Sequence, residues 1–129
     1  MPFTLQWPRL FYMHGSGQNR NSLLSQLDTA IDSGQDVFNM SGGEQLRDYL
    51  PVANVADYLA RLIATPVCKG AINICSGKPV SVRSMVERRI SERGASIRLN
   101  LGYYPYNNHE PFAFWGDTNK LNQYLGNKP

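Results

Sequence analysis

The sequence predicts an α/β protein, and three patterns in it indicate this fold class. Apolar residues recur at helical spacing in two segments, residues 23–31 and 52–63. Short apolar runs bounded by glycine or turn residues, such as residues 71–75, are typical of buried strands. Strand and helix patterns alternate along the chain, and this order is typical of α/β folds.

The first part of the chain predicts a strand, a helix and two short strands. Residues 3–13 are rich in aromatic and apolar side chains and predict a buried parallel strand. Ser22 can cap the helix that follows, and Gly34 can end it. Short strands are predicted at residues 36–40 and 46–50, separated by a Gly-Gly turn.

The second helix has the clearest pattern in the chain. The sequence places Tyr58 away from the apolar face, which consists of Val52, Val55, Ala56, Leu59, Leu62 and Ile63. A buried strand is predicted at residues 71–75, after Gly70. Strand, helix and strand thus follow one another again in this part of the chain.

The last third of the chain predicts a helix, a strand and a short terminal helix. Ser81 can cap the third helix, and Gly94 can end it. A strand is predicted at residues 97–101 and a short helix at residues 118–125. The loop between them contains six aromatic residues that we expect to close over a core rather than to stack on a base: Tyr103, Tyr104, Tyr106, Phe112, Phe114 and Trp115.

Composition limits the class of protein. A chain of 129 residues predicts a single domain, residues 1–129, which buries about two-thirds of its unfolded surface. The net charge of +3 is too small to indicate a nucleic-acid partner. No apolar run approaches the roughly 20 residues of a membrane helix, and no signal-peptide pattern opens the chain. We therefore expect a cytoplasmic protein, with Cys68 and Cys75 as buried thiols.

Two motifs resemble cofactor or catalytic signatures without completing them. Gly15-Ser16-Gly17 lacks the third glycine of a dinucleotide fingerprint, because Arg20 stands in its place. Tyr124 and Lys128 have the spacing of a helical tyrosine-lysine pair, but a glycine interrupts the helix between them. The sequence shows no metal-ligand cluster. We therefore predict no catalytic, cofactor-binding or metal-binding residue in this chain.

Arg47 is the strongest candidate for ligand binding. A guanidinium is planar, permanently charged and forked, so it can hold two phosphate oxygens. The alternative is a surface ion pair with Asp48 or Glu44, and chemistry alone leaves both open. His109 has two similar readings, a phosphate contact or a solvated side chain.

Residues 42–52, a glycine turn followed by Arg-Asp-Tyr and a helix start, resemble a segment of the NAD-dependent epimerase/dehydratase family, the extended short-chain dehydrogenases. Further similar segments follow in the family's order: residues 8–18, 21–24, 37–38, 52–56, 73–81 and 110–117. The chain departs from the family pattern at Tyr12, where many members have an asparagine that touches the sugar nucleotide.

The resemblance implies a fold and a set of binding residues. It implies the carboxy-terminal substrate-binding lobe of such an enzyme, with the strands at residues 3–13 and 71–75 as the last strands of the Rossmann-type sheet. Arg47 would bind the diphosphate of a nucleotide sugar. Leu24 and Phe38 would flank the base, and Asn21 and Glu110 would contact phosphate or ribose.

The resemblance also implies what the parent enzymes do. Full-length members use NAD or NADP and act on nucleotide-diphosphate sugars as epimerases, dehydratases or 4-keto reductases. Their glycine fingerprint and catalytic tyrosine-lysine pair lie in an amino-terminal dinucleotide-binding half that we expect to be absent here. We therefore expect a substrate-binding part that is not catalytic alone and binds no cofactor alone, and that forms a homo-oligomer or joins a missing amino-terminal half. The alternatives are a truncated remnant without enzymatic function, or a subunit that completes a separately encoded dinucleotide-binding partner.

Overall fold

The computed structural model describes residues 3–126 and confirms the α/β class. The strands are β1 (Gln6–Leu10), β2 (Tyr12–His14), β3 (Val37–Asn39), β4 (Leu46–Arg47), β5 (Tyr49–Pro51), β6 (Gly70–Ile74), β7 (Val80–Ser81) and β8 (Arg98–Asn100). The helices are α1 (Leu23–Asp32), α2 (Val52–Ile63), α3 (Val82–Glu92) and α4 (Asn119–Leu125). No helix in residues 3–126 is long and apolar enough to cross a membrane.

The described chain divides into two compact units, and each has its own core. The first unit comprises residues 3–16, 48–79 and 114–126, and the second comprises Gly17–Arg47 and Val80–Ala113. The prediction that residues 1–129 form a single domain stays a prediction.

The first unit contains two parallel strand pairs and two helices. Strand β1 pairs with β6 from Gln6↔Gly70 to Leu10↔Ile74, and β2 pairs with β5. The core consists of Leu50, Val55, Tyr58, Leu62, Cys68, Ile72, Ile74, Leu121 and Leu125. Tyr58 is buried in it, so the prediction that this side chain leaves the apolar face of α2 was wrong.

Strand β1 is more exposed than the sequence suggested. Trp7 is 61% exposed and Leu10 is 46% exposed, so the prediction of a buried strand was wrong for this part of the chain. Within residues 3–126, β6 is the only strand paired with β1. Gln6 faces inward, and its Nε2 lies 2.9–3.1 Å from the carbonyl oxygens of Leu62, Thr65 and Cys68. The amide thereby satisfies carbonyl groups at and just beyond the end of α2, which a helix cannot satisfy internally.

The second unit packs α1 and α3 on one core with the parallel pair β3 and β8. Ser22 and Ser81 cap α1 and α3 as the sequence predicts, each accepting a hydrogen bond from a backbone N–H of the first turn. Asp28 on α1 accepts hydrogen bonds at 2.9 Å from Arg89 on α3 and from Arg93, which follows the end of α3. The hydrogen bond from Arg89 is the main cause that lowers the pKa of Asp28.

The predicted strand at residues 46–50 is two strands with different partners. Strand β4 pairs antiparallel with β7, whereas β5 pairs parallel with β2. One of the four points at which the chain passes from one unit to the other lies between Arg47 and Asp48, at the break between the strands. Sequence patterns did not reveal β7, which is only two residues long.

Asp48 connects three segments of the first unit. Its side chain is fully buried, and its two oxygens accept hydrogen bonds from Ser76 N and Oγ (both 2.7 Å), Gly77 N (2.9 Å) and Gly116 N (3.1 Å). Four donors around one carboxylate satisfy its lone pairs, and this satisfaction makes the burial of its charge tolerable. The carboxylate thus fixes the turn after β6 and the segment before α4.

Replacing Asp48 with alanine should destabilise the protein by about 2–5 kcal/mol, because it leaves one buried and three part-buried donors without this acceptor. Urea denaturation followed by circular dichroism measures this loss. Asp57→Ala is the matched control, since Asp57 forms a partly exposed i,i+4 ion pair with Arg61 in the same unit, and an i,i+4 helix pair contributes about 0.3–0.5 kcal/mol. Equal losses in the two variants would contradict a structural role for Asp48.

Candidate functional site

A glycine turn brings the Arg47 strand close to the start of α3. Gly43 has a φ of +70°, and a Cβ there would lie 2.7 Å from Arg83 Cβ. Its carbonyl oxygen accepts a hydrogen bond from Arg83 N at 2.9 Å, and Gln45 O accepts one from Val82 N at 3.0 Å. Glycine is therefore required at residue 43 for both its backbone angle and its close packing.

The Arg47 side chain is buried and held by backbone oxygens. The residue is 4% exposed, and Nη1 donates to Leu46 O at 2.9 Å and to Phe112 O at 3.2 Å. Phe112 O also accepts a hydrogen bond from Leu46 N at 3.0 Å. These contacts fix the plane of the guanidinium at one end of β4.

Glu110 supplies a carboxylate to this guanidinium. Its Oε2 lies 3.5 Å from Arg47 Nη2, and the Glu110 side chain is 56% exposed. The sequence also allowed an ion pair of Arg47 with Asp48 or Glu44. In the structure, Asp48 accepts hydrogen bonds from Ser76 N and Gly77 N. Glu44 accepts a hydrogen bond from Tyr106 at 3.4 Å. Arg47 is therefore a buried arginine rather than a residue of the surface, with Glu110 as its ion-pair partner.

The remaining predicted site residues also lie in the second unit. Phe38 is 7% exposed and belongs to the core cluster, against which the half-buried Leu24 packs. Asn21 lies exposed before α1, where its carbonyl oxygen accepts a hydrogen bond from Gln26 at 2.8 Å. The structure thus brings Arg47 and Glu110 into contact and places Leu24 and Phe38 on one core.

A cavity of about 620 Å³ in the second unit includes Phe38 in its lining. The other lining residues are mostly polar: Arg20, Gln26, Thr29, Ala30, Gln35, Asn39 and Tyr104. Asn39 Oδ1 accepts a hydrogen bond from Asn100 Nδ2 at 2.9 Å, across the β3–β8 pair. Amide side chains around an aromatic ring can bind a planar polar ligand, and sequence reasoning assigned none of these amides to a site.

The first unit has a cavity of about 630 Å³ near the carboxyl ends of β1 and β6. Its lining includes Tyr12, Asn73, Phe114 and Trp115. Tyr12 packs against Phe114 with ring centroids 5.7 Å apart, so the residue that departs from the family pattern belongs to an aromatic cluster. This position is where α/β proteins commonly bind ligands.

The aromatic loop does not close over a core as predicted. Four of its residues are more than half exposed: Tyr103, Tyr104, Phe112 and Trp115. Tyr103 and Tyr104 contact each other edge to face at 4.8 Å, and Tyr106 and Phe112 do so at 5.3 Å. The rings therefore pack on one another at the surface, and the prediction was wrong for most of them. His109 is exposed, and its backbone N–H donates to Asn107 Oδ1 at 3.0 Å.

Gly15 of the glycine motif and Tyr124 of the tyrosine-lysine motif lie in the first unit. A Cβ on Gly15 would lie 2.6 Å from Val52 Cγ1, so this glycine serves close packing against α2. Tyr124 lies in α4, which ends at Leu125, and Lys128 lies outside the described residues. Within residues 3–126, no three His, Cys, Asp or Glu residues are placed to hold a metal ion. Cys68 and Cys75 are buried thiols as predicted, and burial raises the pKa of Cys75 to about 11.

No family model matches the chain. Two relatives come from Aggregatibacter actinomycetemcomitans. The chain is 30% identical over 112 residues to dTDP-6-deoxy-L-talose 4-dehydrogenase (NAD(+)), covering 87% of this chain and 41% of that protein. It is 28% identical over 121 residues to GDP-6-deoxy-D-talose 4-dehydrogenase, covering 92% and 40%.

The fold of the chain is also similar to that of a solved structure. The UDP-N-acetylglucosamine 4-epimerase from Methanobrevibacter ruminantium M1, in complex with UDP-N-acetylmuramic acid, matches with a TM-score of 0.84 at 21% identity. The match covers 98% of this chain and 41% of the epimerase. The resemblance to the NAD-dependent epimerase/dehydratase family is confirmed. The chain spans about 40% of the length of these relatives, and its carboxy-terminal position in the family fold stays a prediction.

Proposed function

We propose that this chain is the substrate-binding part of an NAD(P)-dependent nucleotide-sugar epimerase, dehydratase or 4-keto reductase, and that it is not catalytic alone. The buried guanidinium of Arg47 carries this proposal. A buried arginine is costly without anionic or carbonyl partners, and here backbone oxygens orient it beside an exposed carboxylate. A guanidinium fixed in this way is suited to bind the diphosphate.

The names of the relatives support a diphosphate as the shared ligand group. The dehydrogenases are named for dTDP and GDP sugars, and the epimerase is in complex with a UDP sugar. Base and sugar differ among these compounds, whereas the diphosphate is common to all of them. An arginine suits a group that all of these compounds share, because its guanidinium can hold two phosphate oxygens.

The other predicted residues complete the proposed site. Leu24 and Phe38 flank the base, and the polar cavity beside Phe38 offers amide groups that can hydrogen-bond to its edge. Asn21 contacts a phosphate oxygen, and Glu110 reaches the ribose. The Arg47 contact contributes the largest share of the affinity, because hydrogen bonds to charged groups are worth about 1.5–3 kcal/mol each.

We expect UDP, dTDP, CDP or GDP to bind with a high micromolar Kd at best. The reason is that a substrate-binding part without its partner half holds the binding site less rigidly in its bound conformation. Arg47→Ala should weaken binding about tenfold or more. NMR titration of the backbone amides of Arg47, Phe112 and Phe38 measures both quantities. Arg47→Lys keeps the charge without the fork and should give an intermediate loss, which guards against a folding defect in the alanine variant.

Arg83→Ala is the matched control for this experiment. Arg83 lies exposed on α3 in the same unit and pairs with Glu87 rather than with Glu110. Its loss removes one positive charge and should leave the Kd nearly unchanged. Chemical shift changes that cluster away from Arg47, or an unchanged Kd in Arg47→Ala, would refute the assignment.

We expect the purified chain to bind neither NADH nor NADPH and to convert no nucleotide sugar. Its glycine loop is occupied by packing against α2, and the chain shows no complete fingerprint for a dinucleotide. NADH fluorescence at micromolar concentration and product analysis with dTDP, GDP and UDP sugars measure this, with the dTDP-6-deoxy-L-talose 4-dehydrogenase as the positive control. Cofactor fluorescence enhancement or any turnover would contradict the proposal.

The exposed face of β1 supports association with another chain. Within the described chain, β1 has one strand partner and exposed apolar side chains, and such a strand favours strand addition or burial against a second surface. The occupant can be a copy of this chain or a dinucleotide-binding half encoded separately, which is the second candidate function. In a remnant that has lost its function, only self-association would remain.

Sedimentation velocity at high micromolar concentration should show a dimer or larger species. Trp7→Lys should shift the population toward monomer, because a charge on the exposed face of β1 opposes burial. Ile63→Lys is the matched control, since Ile63 is 79% exposed on α2 in the same unit. A monomer at all concentrations would count against association through β1.

A further inference from the structure

The Glu110 carboxylate occupies the position beside Arg47 that an anionic ligand would need. Its Oε2 lies 3.5 Å from Nη2 of a guanidinium whose side chain is 5% exposed. Nη1 of the same guanidinium donates to Leu46 O and Phe112 O. Because carboxylate and phosphate oxygens use the same guanidinium donors, a diphosphate that binds Nη2 competes with Glu110.

The backbone on both sides of Glu110 forms hydrogen bonds, so a ligand can displace Glu110 from Arg47 only by a rotation of its side chain. Phe112 O accepts hydrogen bonds from Leu46 N and Arg47 Nη1, and Ala113 forms a β-bridge with Leu46. On the other side, Glu110 N donates to Asn107 O at 3.3 Å. The side chain itself is 56% exposed and can rotate into solvent without movement of the loop.

We propose that Glu110 is a specificity-determining residue, which competes with the ligand for Arg47 and thereby selects diphosphates that carry a ribose over inorganic pyrophosphate. This inference rests on the proposed function of Arg47. A nucleoside diphosphate displaces the carboxylate and then offers it ribose hydroxyl groups as new donors. Inorganic pyrophosphate also displaces the carboxylate but has no hydroxyl group to donate to it. Its binding free energy is therefore reduced by the loss of the ion pair and by the repulsion between like charges.

Glu110→Gln is the decisive variant, because it keeps the size of the side chain and removes its charge. We expect Glu110→Gln to tighten pyrophosphate binding about two- to fivefold, the range set by a partly exposed ion pair. The Kd for UDP should change less or rise, since the variant also loses a ribose contact. The ratio of the pyrophosphate Kd to the UDP Kd should therefore fall. Titrations followed by the amide signals of Arg47 and Phe112 give both values.

Glu44→Gln is the matched control, since it removes one carboxylate from the same unit at a residue whose oxygen contacts Tyr106. It should change both Kd values by less than twofold. A Glu110→Gln protein that binds UDP at Arg47 but shows an unchanged or weaker affinity for pyrophosphate refutes the competition and leaves the proposed function intact. Absence of any ligand-dependent shift at Arg47 in both proteins refutes the competition and the proposed function together.

Discussion

The burial of two consecutive opposite charges, Arg47 and Asp48, is the constraint on which both units depend. They are the only charged residues buried within residues 3–126. Successive side chains of an extended chain point in opposite directions, so each charge enters a different environment. Asp48 is satisfied by N–H and O–H donors of the first unit, and Arg47 by carbonyl oxygens and a carboxylate of the second. Because a buried charge without partners costs several kcal/mol, the loops that supply these partners must adopt their positions when the core forms.

The helices could be predicted from the sequence because their signals are local. Ser22 and Ser81 cap the first turns of their helices, and Gly34 and Gly94 follow the ends, both with positive φ. A cap and a glycine act on neighbouring residues, so the printed sequence contains the whole interaction. The position of Tyr58 was predicted wrongly, because its ring is large and apolar enough to enter the core despite its polar hydroxyl.

The strands could be predicted less well because pairing depends on residues far away in the chain. Residues 46–50 look like one strand, yet their two halves pair with β7 and β2. Exposure of β1 likewise depends on which elements pack against it rather than on its own composition. The residue types of a strand indicate a pleated segment that can be buried on one face. Which face is buried depends on the elements that pack against the strand.

The candidate site divides in the same way between what residue types reveal and what they do not. Arg47 and Glu110 were predicted from the resemblance, and the structure brings them into contact. The carbonyl oxygen of Phe112, which orients the guanidinium, is a backbone group and so leaves no signal in the residue type.

The orientation of the Arg47 guanidinium follows from contacts within one unit. The guanidinium is oriented by Leu46 and Phe112, and its ion-pair partner is Glu110, all within one unit. Its geometry is therefore determined by short-range contacts within that unit, so it does not need a cofactor to form. Gly15 in the glycine loop lies too close to Val52 to carry a Cβ, so this loop packs tightly against the start of α2. The contacts that orient Arg47 and the packing of the glycine loop thus involve separate parts of the chain.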